Sequence, residues 1–502
     1  MPTHESLWRQ TSPQPRQAPL AADLEVDVAI VGAGVTGLTA ALLLSRAGRR
    51  VAVLEASQPA AGVTGGTTAH LTEALDTRWY KLRKDFGDEG ATLAARSQRE
   101  AIERIAGFVS EEKIECGFGR VPGWLFAEDD RGAEEVDKEA AATRALGLRT
   151  APGAPPLPFA VKRALRFEDQ GRIHPLQYLA AITQAARVRG ALIFGETRAL
   201  EIEDGEPCRV RTAAGTVTCK DVFVATHSPV NDKLVLQTKL AQYRSYVVAA
   251  RMSGPALDGL YWDTLDPYHY LRSYQDGSGW LLIAGGEDHK VGQKEDTASC
   301  HSALKEWLLP RFPSLAPGEA FEHEWSAQVV ETVDGLPYVG RNPGQGHVWV
   351  ATGYSGNGLT HGTMSALLVT DLIEGRPSPY AALYEPSRIK PVASLKEFVK
   401  ENVDFPLHFV GDRLKDLAHR GVDDVPPGEG RVVQRGTQTL AVYRDPQGAL
   451  SVLSASCTHM GCHVAWNSSE KSWDCPCHGG RFDPHGKVLD GPANTPLERL
   501  EG

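Results

Sequence analysis

Six residues near the C-terminus restrict what this chain can fold into more than any other feature. Cys457-Thr-His459-Met-Gly-Cys462 is followed, after twelve residues, by Cys475-Pro-Cys477-His478-Gly. Two thiolates and two neutral imidazoles can hold a two-iron, two-sulfide centre, with the thiolates on one iron and the imidazoles on the other. Zinc accepts the same ligand atoms at similar short spacings.

The two boxes, each with a Gly beside it, resemble the Rieske pattern along their whole length, and that resemblance favours iron over zinc. It implies that Cys457 and Cys475 ligate one iron and that His459 and His478 ligate the other. Cys462 and Cys477 are then free to pair as a disulfide joining the loops. This is closer to Rieske proteins of cytochrome bc complexes than to ring-hydroxylating oxygenases, which lack the extra pair. Such a disulfide is enforced by the cluster fold, so the usual link between disulfides and an oxidising compartment is weakened. High-potential respiratory members carry a Ser and, two positions on, a Tyr whose hydroxyls donate to the cluster sulfurs; here Gly480 and Phe482 stand in those places. The expected potential therefore falls in the lower part of the span of roughly −150 to +300 mV.

A length of 502 residues implies about two to four domains. A formal charge of −10 with no basic run argues against nucleic acid as a partner, since phosphate binding depends on clustered Lys and Arg. The first 24 residues are polar and Pro-rich and lack the apolar core of a signal peptide. No run approaches the roughly 18 apolar residues of a membrane span. The expectation is a cytoplasmic protein without a transmembrane segment. Cys116, Cys208, Cys219 and Cys300 are scattered and read as packing residues.

Val26 to Val31 is an apolar run of strand length that leads into Gly32-Ala-Gly34-Val-Thr-Gly37. A helix over Leu38 to Ala47 and a second strand, Arg50 to Leu54, follow, ending at Glu55. This is a dinucleotide-binding fingerprint in its required context: glycines let the backbone approach a pyrophosphate at a helix N-terminus, and the acid takes a ribose hydroxyl. From about Ser6 to Leu383 the chain resembles the D-amino-acid oxidase-like flavoproteins, which selects FAD. The matching pieces are Gly66-Thr67-Thr68-Ala-His70, Phe223-Val-Ala225-Thr226-His227, Trp325 followed by Asp334-Gly-Leu-Pro337, and Thr352-Gly-Tyr-Ser-Gly356-Asn357-Gly358-Leu359-Thr360. In the family the last segment lies at the isoalloxazine ring and opens a helix, here about His361 to Glu374. Gly-Thr-Thr-Ala-His is also similar to the Gly-Thr-Thr-Trp-His of dimethylglycine and sarcosine dehydrogenases, whose His is bonded to the flavin. A covalent bond through His70 is one implication; with Ala69 in place of the Trp, a non-covalent contact is the other.

Strands such as Ala191 to Phe194, Cys208 to Thr212 and Tyr246 to Met252 are expected to build the family's antiparallel substrate-binding sheet. In Tyr268-His-Tyr270-Leu-Arg272 the even positions share one strand face, so Tyr268, Tyr270 and Arg272 are the expected substrate contacts, with His361 beside them near the flavin. Amino-acid oxidases of the family often place a carboxylate-binding Arg where this chain has Val329. Its loss points towards an amine, polyamine or N-methylated compound, although Arg244 or Arg272 could stand in for it.

The expected architecture is therefore an N-terminal arm (1–24) and an α/β, Rossmann-like FAD domain with an interleaved antiparallel β substrate domain (25–383). A linker (384–424) with a helix around Ser394 to Asn402 leads to a C-terminal all-β Rieske domain (425–502). The implied activity is oxidation of an amine-like substrate, whether an amine, a polyamine, an N-methylated compound or an amino acid, by FAD, with single electrons passed through the [2Fe-2S] cluster to a ferredoxin, cytochrome or quinone. The rival reading is a flavin and iron–sulfur electron carrier or redox sensor without small-molecule turnover. A Rieske oxygenase fits less well, because no two-His, one-carboxylate iron site is evident.

Overall fold

Val28–Val31, Val51–Leu54, Asp221–Val224 and Val348–Thr352 are buried at every position. Strands covered on both faces belong in the middle of a parallel sheet. In the computed structural model, which describes residues 5–231, 236–294, 296–315, 321–389 and 421–500, they do. The six-stranded sheet runs Tyr338–Arg341, Val348–Thr352, Asp221–Val224, Val28–Val31, Val51–Leu54, Leu192–Phe194. Only the first pair is antiparallel. The helix Val35–Arg46 leaves the central strand and packs against Pro175–Val188 and Gly358–Ile373.

A nine-stranded, largely antiparallel sheet forms the substrate side. Its long strands Phe321–Thr332, Leu240–Met252, Gly279–Lys290 and Tyr270–Asp276 lie in that order. Two expected members are elsewhere. Leu192–Phe194 pairs in parallel with Val51–Leu54, because the helix Pro175–Val188 before it supplies the crossover that parallel pairing needs. Cys208–Arg211 belongs to a small four-stranded sheet with Leu24–Glu25 at its far edge. The four scattered cysteines are all buried.

The N-terminal arm is not a loose polar tail. Ser6 caps the short helix Leu7–Thr11, which buries Leu7 and Trp8. The Trp8 indole N–H donates to the Thr67 carbonyl and the Ser6 hydroxyl donates to the Gly65 carbonyl. The arm thus fixes the backbone of the Gly66–His70 segment.

The C-terminal domain holds a three-stranded and a four-stranded antiparallel sheet over a core that includes Trp473, Phe482, Cys457 and Cys475. One cluster loop joins Leu450–Ser454 to Ala465–Asn467, and the other joins Ser472–Asp474 to Arg481–Phe482. The linker helix expected at Ser394 to Asn402 lies outside the described residues, as do Phe398, Phe405 and Phe409, the linker aromatics expected to dock on one or both domains. Among the described residues no helix is long and apolar enough to cross a membrane.

Candidate active site and cluster loops

A cavity of about 1040 Å³ runs between the two domains and is lined by residues of both. At one end the helix Val35–Arg46 points its N-terminus into it. Gly32, with φ +104°, has no room for a side chain, since a Cβ would lie 2.5 Å from the Ala225 carbonyl oxygen. The strand ends carrying Gly32 and Ala225–Thr226 therefore close on one another beneath the cavity. A Cβ at Gly37 would lie 2.0 Å from the Gly32 carbonyl oxygen, so Gly37 serves the close packing of helix on strand. Glu55 accepts the Ala33 and Ser57 N–H groups at 2.8 and 2.9 Å. Its carboxyl is raised above the ordinary range by burial, against the opposing pull of those amides and of Arg198. Amides at a helix N-terminus, a glycine cradle and a carboxylate beyond them are what an ADP-like moiety needs. The cavity stands at the top of the roughly 300–1,000 Å³ range of small-molecule sites.

At the other end Gly356, Asn357, Gly358 and Leu359 line the cavity where the helix Gly358–Ile373 begins, with Asn357 at its N-cap position. That helix starts three residues earlier than the sequence suggested, which brings its positive end to the cavity wall. Thr360 follows in its first turn, buried and outside the lining. Thr67, Thr68 and His70 face this end from the segment held by the arm. The His70 Nε2 lies 3.2 Å from the Leu271 carbonyl oxygen, to which it donates, and Nδ1 lies 3.1 Å from the Thr68 hydroxyl. Burial, reinforced by Arg272, pushes its pKa down to about 3. Both nitrogens of this neutral ring are engaged, so the geometry gives no support to a covalent bond. Acid precipitation of the protein should release its FAD into the supernatant; yellow colour retained in the pellet would contradict this.

Tyr268 and Tyr270 line the cavity, and the Tyr270 hydroxyl is 2.8 Å from that of Ser245. Strand pairing begins only at Tyr270. Arg272 and His361 are corrections. Arg272 does not line the cavity; its Nη1 donates to the carbonyls of Thr68, Ala69 and Ile173 at 2.8–3.1 Å, and its guanidinium lies over Trp8. Burial pulls its pKa down to about 9, and its Nη1 is spent on backbone carbonyls rather than on the substrate space. His361 is also outside the lining. Its Nδ1 donates to the Tyr354 carbonyl at 2.9 Å, and burial lowers its pKa to about 4. It acts as a brace within the helix start.

Asp76, which no motif marked, lines the cavity beside the tyrosines and accepts the Gly356 N–H. Arg244 also lines it but is turned towards the C-terminal domain, donating to Ser326 and to Glu470. Burial alone would raise the Glu470 carboxyl, but Arg244, Arg481 and Ser326 outweigh it and hold the pKa at about 2. Arg244 is thereby committed to holding the domains together and does not replace the carboxylate-binding Arg missing at Val329.

The cluster loops touch the flavin domain. Gln328 lines the cavity, and its side-chain amide donates to the Gly479 carbonyl at 3.1 Å. Gly479, with φ +67°, must be Gly, because a Cβ would lie 2.5 Å from the Gln242 side chain. Next to it, the His478 ring meets that of His459 edge-on at 4.9 Å. Cys457 and Cys475 are both buried and share a hydrogen bond. The hydrogen bond with Cys475, together with the backbone N–H groups of His459 and Met460, holds the Cys457 thiol below its ordinary value. Cys462 and Cys477 form the disulfide that ties the two loops. Two paired thiols opposite two converging imidazoles, with amides aimed at sulfur, fit a [2Fe-2S] centre with Cys457 and Cys475 on one iron and His459 and His478 on the other.

Comparison with known proteins agrees with this geometry. A family model described as FAD dependent oxidoreductase matches residues 27–372, and one described as Rieske [2Fe-2S] domain matches residues 417–501. YhfW of Bacillus subtilis, named as a Rieske 2Fe-2S iron-sulfur protein, is 32% identical over 99% of this chain and 97% of its own length. Gamma-glutamylputrescine oxidoreductase of Escherichia coli is 27% identical over 70% of this chain and 84% of its own. Glycine oxidase from Geobacillus kaustophilus superposes with a TM-score of 0.63 at 20% identity, over 73% of this chain and 99% of that one.

Proposed function

The chain belongs to the FAD dependent oxidoreductase family and carries a C-terminal Rieske [2Fe-2S] domain, and on that premise we propose that it dehydrogenates an amine, polyamine or N-methylated compound and delivers the electrons singly to a ferredoxin, cytochrome or quinone. When bound, FAD supplies a two-electron acceptor and the cluster a one-electron carrier. The chain's own residues do the rest.

The observation that carries this reading is one cavity shared by a dinucleotide cradle, a tyrosine-walled pocket and, through Gln328, the loop of His478. Gly32, Gly34 and Glu55 would hold the ADP half of the cofactor, while Thr67, Thr68, Ala225, Thr226 and the Gly356–Leu359 turn would enclose its ring end. Tyr268 and Tyr270 would position the carbon next to the substrate nitrogen, and positioning contributes much of the rate enhancement of such transfers. With Val329 apolar and Arg244 committed to Glu470, neither position offers a guanidinium to a substrate carboxylate, which favours an amine. Gly480 lies so close to the cluster that a Cβ there would sit 3.6 Å from the Cys457 sulfur. The hydroxyl missing from that position would have been a donor to the cluster, which supports a low potential.

The test is anaerobic mixing of the oxidised holoenzyme with putrescine, N-methylputrescine, sarcosine, L-proline and glycine in turn. At least one of the first three should bleach the flavin band within seconds and faster than glycine does. Failure of all five to bleach it would overturn the amine reading.

A further inference from the structure

One irregularity in the substrate sheet is aimed at the tyrosines. The strands Leu240–Met252 and Gly279–Lys290 pair in register up to Tyr246 opposite Gly286, and resume one residue out of step with Arg244 opposite His289. Glu287 and Asp288 therefore both oppose Ser245. Such a bulge re-aims a side chain and is often found beside active sites. Here it is held by Glu287 at φ +57°, a left-handed conformation that strains a non-Gly residue. Gly285 and Gly286 complete the arrangement: a Cβ at Gly285 would lie 2.1 Å from the Tyr270 ring, and one at Gly286 would lie 2.5 Å from the Tyr268 carbonyl oxygen. The bare backbone lets Tyr270 lie flat across the sheet, its hydroxyl 2.8 Å from Ser245. Asp288 does not line the cavity; Ser245 and Tyr270, which do, stand between it and the substrate space. Its Oδ1 is buried without a hydrogen-bond partner.

We infer that Asp288 is the proton acceptor for the substrate's ammonium group, acting through the hydroxyls of Tyr270 and Ser245. An ammonium proton passes to Tyr270 as the tyrosine's own proton passes to Ser245 and that of Ser245 to the carboxylate. One N–H bond breaks, one O–H bond forms on Asp288, each hydroxyl regains a proton, and no electron moves. The amine is left with the lone pair that oxidation at the neighbouring carbon requires. The groups around Asp288 suit this role. Burial raises its pKa to about 7; Ser245 opposes the rise, and Asp76, across the cavity, and Glu287 add to it. Glu287 itself faces His269 at 4.0 Å, Tyr268 and Tyr270 both feel the Asp288 charge, and Glu331 of the strand Phe321–Thr332 acts on Tyr268. An acceptor near 7 is matched to the pH at which general bases work best.

The inference rests on the amine reading, and its test separates the two. With holoenzyme, putrescine and sarcosine, the limiting rate of anaerobic flavin bleaching should rise about tenfold per pH unit up to about pH 7 and level off above it. Asp288→Asn should remove that inflection and slow bleaching at pH 7 by about a hundredfold, within the usual reach of general base catalysis. Tyr270→Phe should do the same. Half-saturation by the amine should move less than threefold in Asp288→Asn, because Asp288 does not line the cavity. An unchanged pH profile in Asp288→Asn would overturn the relay. Independently of any substrate, infrared difference spectra of carboxyl-labelled protein should show one Asp titrating near pH 7 that is missing from Asp288→Asn. If no such carboxyl titrates in the unmutated protein the relay fails, whereas failure of both amines to bleach flavin in a protein that shows it refutes the amine reading alone.

Discussion

Gly34→Val is expected to yield a folded protein that keeps its iron and has lost its FAD. The position separates cofactor binding from folding. A Cβ at Gly34 meets only the Thr64 hydroxyl, at 3.2 Å, and the backbone there, at φ −83° and ψ −169°, is one that valine adopts readily. The cost to the helix cap is about 1 kcal/mol at most. The valine methyls instead fill the cavity over the N-terminal amides of Val35–Arg46, where the dinucleotide backbone must approach. Losing one or two hydrogen bonds to a charged group costs about 3 kcal/mol, or roughly a hundredfold in affinity. Gly32→Val is a poorer test, because its side chain would strike the Ala225 carbonyl and disturb the sheet itself. Flavin and iron content of the purified variant check the prediction. Normal flavin content would place the cofactor elsewhere.

His478→Ala should have the complementary effect. It removes an imidazole from the cluster loops and nothing from the cavity lining. Changes to groups that merely support metal ligands already cost about 10–100-fold in affinity or activity, and loss of a ligand should cost more. The amine should still bleach the flavin at close to the original rate, while steady-state transfer to a one-electron acceptor falls at least about a hundredfold. Unimpaired turnover in a cluster-free variant would make the C-terminal domain a structural appendage.

The parts of this molecule read well from sequence are those whose chemistry is local. The two Cys and His boxes and the strand, glycine turn, helix and acid of the dinucleotide site are each contiguous, so spacing alone implies their geometry. The substrate side is assembled from distant segments and was only half legible. Even positions of Tyr268 to Arg272 do share a face, but each step of two residues advances about 7 Å along a strand. Arg272 consequently lies beyond the pocket, under Trp8 of an arm that read as a polar tail. His361 was too near a flavin motif to be told from a ligand until its bond to the Tyr354 carbonyl was seen. The contact of Gln328 with Gly479 spans 151 residues, and although Gly479 closes the second cluster box, nothing in the sequence marks Gln328 as its partner. The bulge at Glu287 and Asp288 is invisible in a sequence because it is a matter of register between two strands.

The central claim, that amine oxidation in the flavin cavity feeds the cluster through the docked loop, is tested most directly by one anaerobic measurement. The oxidised holoenzyme is mixed with the amine that bleaches the flavin fastest, frozen at intervals, and examined by electron paramagnetic resonance. The account predicts that a reduced Rieske signal grows in step with flavin bleaching in the unmutated chain and is missing in His478→Ala, although its flavin still bleaches. Complete bleaching of the flavin beside a cluster that stays oxidised would contradict it.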